Sequence, residues 1–142
     1  MGTRGTYRFI ETYESNNKQI GRVDKDICLM YMQYDNYPDG NPLLIAKYIT
    51  SGKFVNGYGA DDGSIVFNGM GCFIAQLIKE FKAGTGGLYI QPLDSRLQSS
   101  EDYTYDIVYD FDTKKVTIKA YDWQDKLLFI GTPEEYIAKY DK

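Results

Sequence analysis

The sequence predicts an α+β fold, in which a single antiparallel sheet of about six strands is packed by two or three short helices. Segments rich in aromatic and β-branched residues recur along the chain between polar turns, which is the pattern of β-strands. One segment near the middle instead repeats its apolar residues at helical spacing. Strands joined by short turns pair antiparallel, so the expected order β-β-α-α-β-β-β-β-α indicates α+β rather than a doubly wound fold.

Strands are expected wherever aromatic and β-branched residues dominate. Six segments fit this description: 6–13, 27–34, 88–91, 103–111, 116–121 and 126–130. Residues 65–67 are expected to add a short strand. Segment 27–34 is almost continuously apolar, which predicts a central strand covered on both faces. Three polar or glycine-rich stretches are expected to be loops or turns: 14–26, 53–63 and 92–102.

Three helices are expected from their start signals and apolar stripes. Asn41 is predicted to cap the first helix, with Pro42 at its first position. The apolar stripe of this helix is predicted to comprise Leu44, Ile45, Tyr48 and Ile49. Asn68 is predicted to cap the second helix. The apolar stripe of the second helix comprises Met70, Phe73, Ile74, Leu77, Ile78 and Phe81. Thr132 to Glu135 form a capping-box pattern that opens a third helix through Tyr140.

Length and composition indicate one globular domain over residues 1–142. The chain length is close to the common domain size of about 100–150 residues. The net charge is −4, and lysine and arginine form no run, so a nucleic-acid partner is not expected. No apolar stretch approaches the roughly 20 residues of a membrane span, so no membrane partner is expected. Cys28 and Cys72 are expected to be buried thiols, which predicts a cytoplasmic location.

The absence of histidine restricts the chemistry of the chain. It excludes Ser-His-Asp and Cys-His mechanisms, and also any zinc site that uses histidine. Residues 35–46 do not match a calcium loop, because Ala46 stands where a bidentate glutamate is required. The sequence therefore predicts neither a cofactor nor a metal site.

Two loops are candidate ligand-binding segments. In the first, Tyr34, Asp35 and Tyr37 follow an apolar strand, at a position where binding residues concentrate. Arg4 is expected to pair with Asp35 if the first two strands are neighbours. The alternative is structural: Asp35 makes a side-chain turn and the rings pack on the sheet edge.

The second candidate segment begins the middle helix. Asn68, Gly69 and Gly71 are expected to expose backbone N–H groups to an anion such as phosphate. The alternative is that the glycines only allow tight contact between helix and sheet.

A row of tyrosines has two possible roles. Tyr103, Tyr105 and Tyr109 share one strand face. That row is either a binding surface or part of the core.

Several segments together resemble a family of small uncharacterised bacterial and phage proteins. The segments are Met1-Gly2-Thr3-Arg4-Gly5, Gln33 to Pro42, Phe67 to Cys72 and Gly131 to Tyr136. Members of that family begin with Thr-Arg-Gly or Thr-Arg-Ser and carry a motif like Tyr-x-His-Trp/Phe-Asp-x-Tyr-Pro. This chain has Gln33 where many relatives carry histidine. The resemblance implies a bacterial or mobile-element origin.

The sequence thus favours a non-enzymatic binding protein. Its expected partner is a protein or a small anionic ligand, and a phage counter-defence role fits the resemblance. One alternative is a hydrolase that uses Thr3 as an N-terminal nucleophile, which requires a free amine on that residue. Another is an oligomeric scaffold without a ligand. The oligomeric state is left open.

Overall fold

Alternating aromatic and β-branched residues build two groups of strands, and helices cover one face of them. The computed structural model describes residues 3–55, 65–95 and 101–142. In chain order the elements are β1 (Gly5–Glu14), β2 (Arg22–Met32), α1 (Asn41–Thr50), β3 (Gly52–Val55), β4 (Ile65–Asn68), α2 (Gly69–Phe81), β5 (Leu88–Gln91), β6 (Tyr103–Asp110), β7 (Lys115–Asp122), β8 (Leu127–Gly131) and α3 (Pro133–Tyr140). The α+β class, the six-stranded sheet and the three helices agree with the prediction.

The six-stranded sheet has the order β5-β2-β1-β6-β7-β8 and is mixed rather than purely antiparallel. The hairpins β1–β2, β6–β7 and β7–β8 are antiparallel, but β1 and β6 run parallel. The prediction of an antiparallel sheet was wrong at this pair for a topological reason. Short turns produce antiparallel pairs only between strands that are consecutive in the chain. Strand β6 follows β5 in the chain but pairs with β1, on the side of β1 that faces away from β2.

A second, two-stranded sheet pairs β3 with β4 in parallel. The prediction that residues 53–63 are irregular was therefore wrong at 53–55, while 56–63 lie outside the described residues. In the stretch 92–102, Leu93–Ser95 form a short 3₁₀ turn. The strand β2 begins at Arg22, so the loop expected over 14–26 is limited to residues 15–21.

The core lies between the large sheet and the helices. Phe73 of α2 contacts Phe9 of β1, with ring centroids 6.3 Å apart. The buried side chains of α2 are Met70, Phe73, Ile74 and Leu77, all members of the predicted stripe. Tyr105 and Tyr109 are buried, while Tyr103 is half-buried at the sheet end, so the tyrosine row belongs largely to the core.

The first helix differs from its prediction at two positions. Gly40, not Asn41, occupies the N-cap position, and no side chain makes the capping hydrogen bond. Leu43 is buried in place of Leu44, which is about half exposed. Cys28 and Cys72 are free thiols and only partly buried. None of the helices in the described ranges is long and apolar enough to cross a membrane.

Candidate functional site

A buried asparagine organises the segment between β2 and α1, which we call the 34–41 turn. Asn36 is fully buried. Its Nδ2 group donates to the carbonyl oxygens of Thr3 at 2.7 Å, Met32 at 2.9 Å and Tyr34 at 3.0 Å. Its backbone N–H also donates to the Thr3 carbonyl. Because a buried polar group must be satisfied, these bonds hold the turn against the start of β1.

Three buried tyrosine hydroxyls support the same turn from the core. The Tyr7 hydroxyl donates to Oδ1 of Asn36 at 2.5 Å, and the Tyr105 hydroxyl donates to the Asn36 carbonyl at 2.7 Å. The Tyr136 hydroxyl donates to the Pro38 carbonyl at 2.6 Å. Burial raises the pKa of all three hydroxyls well above the ordinary tyrosine value. The neutral, hydrogen-bonding form is therefore retained at physiological pH.

Two glycines make room for this arrangement. A Cβ atom on Gly5 would lie 2.6 Å from Cβ of Asn36, and one on Gly40 would clash with the Asp35 carbonyl oxygen. Asp35 itself adopts a left-handed conformation with φ of 64°. Its carbonyl oxygen accepts the Asn41 N–H at 2.7 Å. The Thr-Arg-Gly and Asp-Asn-Tyr-Pro-Asp-Gly-Asn segments thus form one packed unit.

This unit borders an open cleft of about 810 Å³, which we call the aromatic cleft. Its lining residues are Thr3, Arg4, Gln33, Tyr34, Tyr37, Asp102, Tyr103 and Trp123. They come from the start of β1, the end of β2, the 34–41 turn, the start of β6 and the β7–β8 hairpin. Small-molecule sites typically enclose about 300–1,000 Å³, so the cleft has a suitable size.

Large aromatic rings form the rim of the aromatic cleft. The exposed fractions are 58% for Tyr34, 54% for Tyr37 and 72% for Trp123. The Tyr37 and Tyr103 rings meet edge to face at 6.1 Å, and Tyr103 stacks on Tyr105 at 6.2 Å. The Tyr37 side of the rim is therefore supported by rings that continue into the core, and its outer faces stay open to a ligand.

Arg4 supplies the cation of the aromatic cleft. Its N–H donates to the Asp102 carboxylate at 2.9 Å, and its carbonyl accepts the N–H groups of Asp102 and Tyr103. These hydrogen bonds hold the backbone of Arg4 in place. Its guanidinium, however, has no carboxylate within 4.0 Å among the described residues. The predicted ion pair with Asp35 is accordingly not formed, and Asp35 does not line the cleft that Arg4 borders.

The charge of Arg4 acts on groups around the start of β1. Burial raises the pKa of the Glu101 carboxyl, and Thr6, followed by the Arg4 guanidinium, partly offsets this rise. Burial also raises the pKa of Tyr103, with further contributions from Tyr37 and Asp102. Among the described lining residues, the cleft combines the Arg4 guanidinium with the Asp102 carboxylate, which already accepts the Arg4 N–H.

The structure places the other predicted site residues apart from the aromatic cleft. Asn68 is the N-cap residue of α2, but its side chain makes no capping hydrogen bond. Gly69 has a left-handed φ of 80°, and a Cβ atom on Gly69 or Gly71 would meet no atom within 4 Å. Neither glycine is therefore required for tight contact between helix and sheet. Asn68, Gly69 and Gly71 do not line the aromatic cleft within the described part of the chain.

Of the residues predicted for the first candidate segment, Arg4, Tyr34 and Tyr37 line the aromatic cleft and Asp35 does not, while Trp123 was not predicted. No signal in the sequence pointed to Trp123, since single exposed apolar residues are common on protein surfaces. Nothing in the sequence alone distinguished Asn36 from the other turn-forming residues, because its role depends on contacts with distant backbone carbonyls.

Comparison with protein-family models, with curated proteins and with solved structures finds no match to this chain.

Proposed function

We propose that this chain is a non-enzymatic binding protein and that the aromatic cleft is its site. The ligand we infer is a small molecule that carries a planar ring and an anionic group. The observation that carries the proposal is the position of Arg4, whose guanidinium has no carboxylate partner among the described residues, beside three exposed rings.

The chemistry of the lining supports both parts of this ligand. A ring stacked on an aromatic side chain contributes about 1–3 kcal/mol, independently of the identity of the ring. The planar guanidinium of Arg4 can bind a carboxylate or phosphate through two parallel hydrogen bonds. The amide of Gln33 adds a donor, while its Oε1 already accepts the Tyr31 hydroxyl at 3.0 Å. Since Asn36 fixes the 34–41 turn before binding, little ordering is required.

The single tryptophan gives a direct measurement of binding. Trp123 is the only tryptophan of the chain and lines the aromatic cleft. We expect its fluorescence to be quenched when nucleoside monophosphates or aromatic carboxylates are titrated, and the melting temperature to rise with ligand concentration. If no compound in that panel changes either signal at about 1 mM, the small-ligand proposal is wrong.

Two variants and one control locate the binding event. Arg4→Gln is expected to weaken binding about tenfold or more, because a hydrogen bond to a charged group contributes about 1.5–3 kcal/mol. Tyr34→Ala is expected to weaken binding by removing a stacking surface. Arg22→Gln is the matched control, since Arg22 lies on the exposed surface with Asp110 and Asp112. Equal losses in Arg4→Gln and Arg22→Gln would place the ligand elsewhere.

The exposed rim also favours a second candidate, a protein partner. Tyrosine, tryptophan and arginine are enriched at the energetic centres of interfaces. A bacterial or phage origin and a counter-defence role rest on the sequence resemblance and belong to this candidate. Light scattering separates it from an oligomeric scaffold, which would be a stable oligomer with no response to any ligand.

The hydrolase alternative depends on Thr3, which lines the aromatic cleft. An N-terminal nucleophile needs a free amine on the same residue, so Met1 and Gly2 would have to be removed. The intact mass of the purified protein tests this requirement. A mature chain that begins at Thr3 would favour the hydrolase, and retention of Gly2 would contradict it.

A further inference from the structure

Three lysines that are scattered in the sequence converge on a second cleft. Lys53 lies in β3, Lys114 in the β6–β7 turn and Lys115 at the start of β7. Their proximity has a packing cause: the Phe54 ring of β3 stacks on Tyr109 of β6 with centroids 4.5 Å apart. This contact brings the small sheet against the end of the β6–β7 hairpin.

The resulting lysine cleft has a volume of about 420 Å³. Its lining residues are Ile49, Thr50, Gly52, Lys53, Phe54, Lys114, Lys115, Val116, Thr132, Pro133 and Glu134. Ile49 and Val116 are buried, so the floor is apolar. The first turn of α3 forms one wall and carries Glu134 and Glu135, whose charges offset the positive end of the helix dipole.

The charge of this cleft is unusual for a chain with a net charge of −4. Among the described residues, three lysines and one glutamate line it, and these four side chains carry a net charge of +2. Within the described residues, none of the three lysines has a carboxylate within 4.0 Å, whereas Lys47 pairs with Asp141 at 2.9 Å. No close ion pair within the described residues therefore compensates the positive charges of the three lysines. The cluster and Arg4 lie at different ends of the protein.

We propose that the lysine cleft binds a compact polyanion with at least two phosphate groups. Lysine binds phosphate as a point charge and does not need a fixed geometry, which suits three exposed side chains on different elements. A single anionic group would engage only part of the cluster, whereas neighbouring phosphates can contact all three ammonium groups. The phosphates could belong to a free polyphosphate or to a phosphoinositide headgroup.

The test is calorimetric titration of the full chain with tripolyphosphate at low and at physiological salt. We expect measurable binding that weakens with salt. The triple variant Lys53→Gln, Lys114→Asn, Lys115→Gln is expected to reduce affinity about tenfold or more. Asparagine is chosen at position 114 because Lys114 has a left-handed φ of 59°, which asparagine tolerates.

Matched variants separate a specific site from general charge. The control triple variant Lys18→Gln, Lys25→Gln, Lys126→Gln removes the same charge outside the cleft and is expected to retain most of the affinity. Glu134→Gln removes the carboxylate found among the described lining residues and is expected to tighten binding several-fold. Equal losses in both triple variants, or no tripolyphosphate binding at low salt with no vesicle binding, would overturn the proposal. Circular dichroism of each variant confirms that it is folded.

Two further arms identify the source of the phosphates and keep the two clefts distinct. Flotation with vesicles that contain phosphatidylinositol bisphosphate, compared with tripolyphosphate, distinguishes a headgroup from a free anion. Arg4→Gln is expected to leave tripolyphosphate binding unchanged. If Arg4→Gln abolishes it while the lysine triple variant does not, the polyanion binds at the aromatic cleft and the lysine cleft is not a site.

Discussion

Gly5 packs against Asn36 with no room for a side chain between them. The 34–41 turn approaches β1 so closely because Asn36 must reach the Thr3 carbonyl while its own carbonyl accepts the Tyr105 hydroxyl. The Thr-Arg-Gly segment is thus explained by packing: Thr3 supplies an acceptor and Gly5 supplies the space. Arg4, between them, is left to face the aromatic cleft.

Gly5→Ala is expected to lower the free energy of unfolding by about 1–3 kcal/mol, because overpacking forces the backbone or Asn36 to move. Gly71→Ala is the control, since its Cβ would enter open space on a helix. That change is expected to stabilise the protein by about 0.5–1 kcal/mol. Urea unfolding followed by circular dichroism measures both. An unchanged stability for Gly5→Ala would contradict the close packing of Gly5 on Asn36.

The parallel pair β1–β6 joins the two antiparallel parts of the sheet, and an ion pair crosses it. Arg8 and Asp106 are direct partners in the strand register. Nε and Nη2 of Arg8 donate to the two carboxylate oxygens at 2.5 and 2.7 Å. Burial opposes the charge of Arg8, but the hydrogen bond and attraction of Asp106 outweigh it and raise the pKa of the guanidinium.

Asp106→Ala is expected to destabilise the protein by about 2–3 kcal/mol, since it leaves the Arg8 cation without its partner. This is less than for a fully buried pair because the Arg8 side chain is 26% exposed and partly solvated. Asp112→Ala is the comparison, because Asp112 pairs with Arg22 on the exposed surface. Thermal unfolding is the measurement. A loss in Asp112→Ala as large as that in Asp106→Ala would show that burial does not set the strength of the pair.

On the scale of the whole molecule, buried tyrosines connect the sheet, α3 and the 34–41 turn. Tyr7 stacks on Tyr105 with centroids 5.1 Å apart. Tyr136 of α3 reaches the carbonyl of Pro38 across the same region. Tyr7, Tyr105 and Tyr136 thus direct their hydroxyls at this turn from the core, while Tyr34 and Tyr37 expose their rings around the aromatic cleft.

These tyrosines predict cooperative unfolding at high pH. Burial, followed by neighbouring tyrosines, raises the pKa of Tyr7, Tyr105 and Tyr136 in the folded state. Their contribution to stability is fully present below the unfolded tyrosine pKa of about 10 and is lost as the pH rises above it.

Tyrosinate absorbance and far-ultraviolet circular dichroism should therefore change together above about pH 10. Tyr105→Phe is the control, because it removes one ionisation and should make stability less sensitive to pH in that range. The substitution should also lower the free energy of unfolding by about 1 kcal/mol, because one hydrogen bond is lost. Complete tyrosinate formation with unchanged circular dichroism would contradict the burial of these hydroxyls.

Local pattern was enough to predict most elements. The Met70–Phe81 stripe and the capping box at Thr132 depend on neighbours in sequence, so periodicity and capping chemistry reveal them. The capping box is complete, with Thr132 accepting the Glu135 N–H at 3.1 Å. Of the site, Arg4, Tyr34 and Tyr37 were predictable because they occupy a loop between well-defined elements.

The sequence by itself determined the α+β class, the three helices and the six strands of the large sheet, since each follows from the local pattern of polar and apolar residues, but it did not predict β3. Only the tertiary structure decided the parallel β1–β6 pairing, the role of Asn36 and the meeting of Trp123 with Arg4. The tertiary structure alone also decided that Lys53 lies close to Lys114 and Lys115. Each of these depends on contacts between residues far apart in the chain, and a local pattern carries no information about which distant segments will pack together.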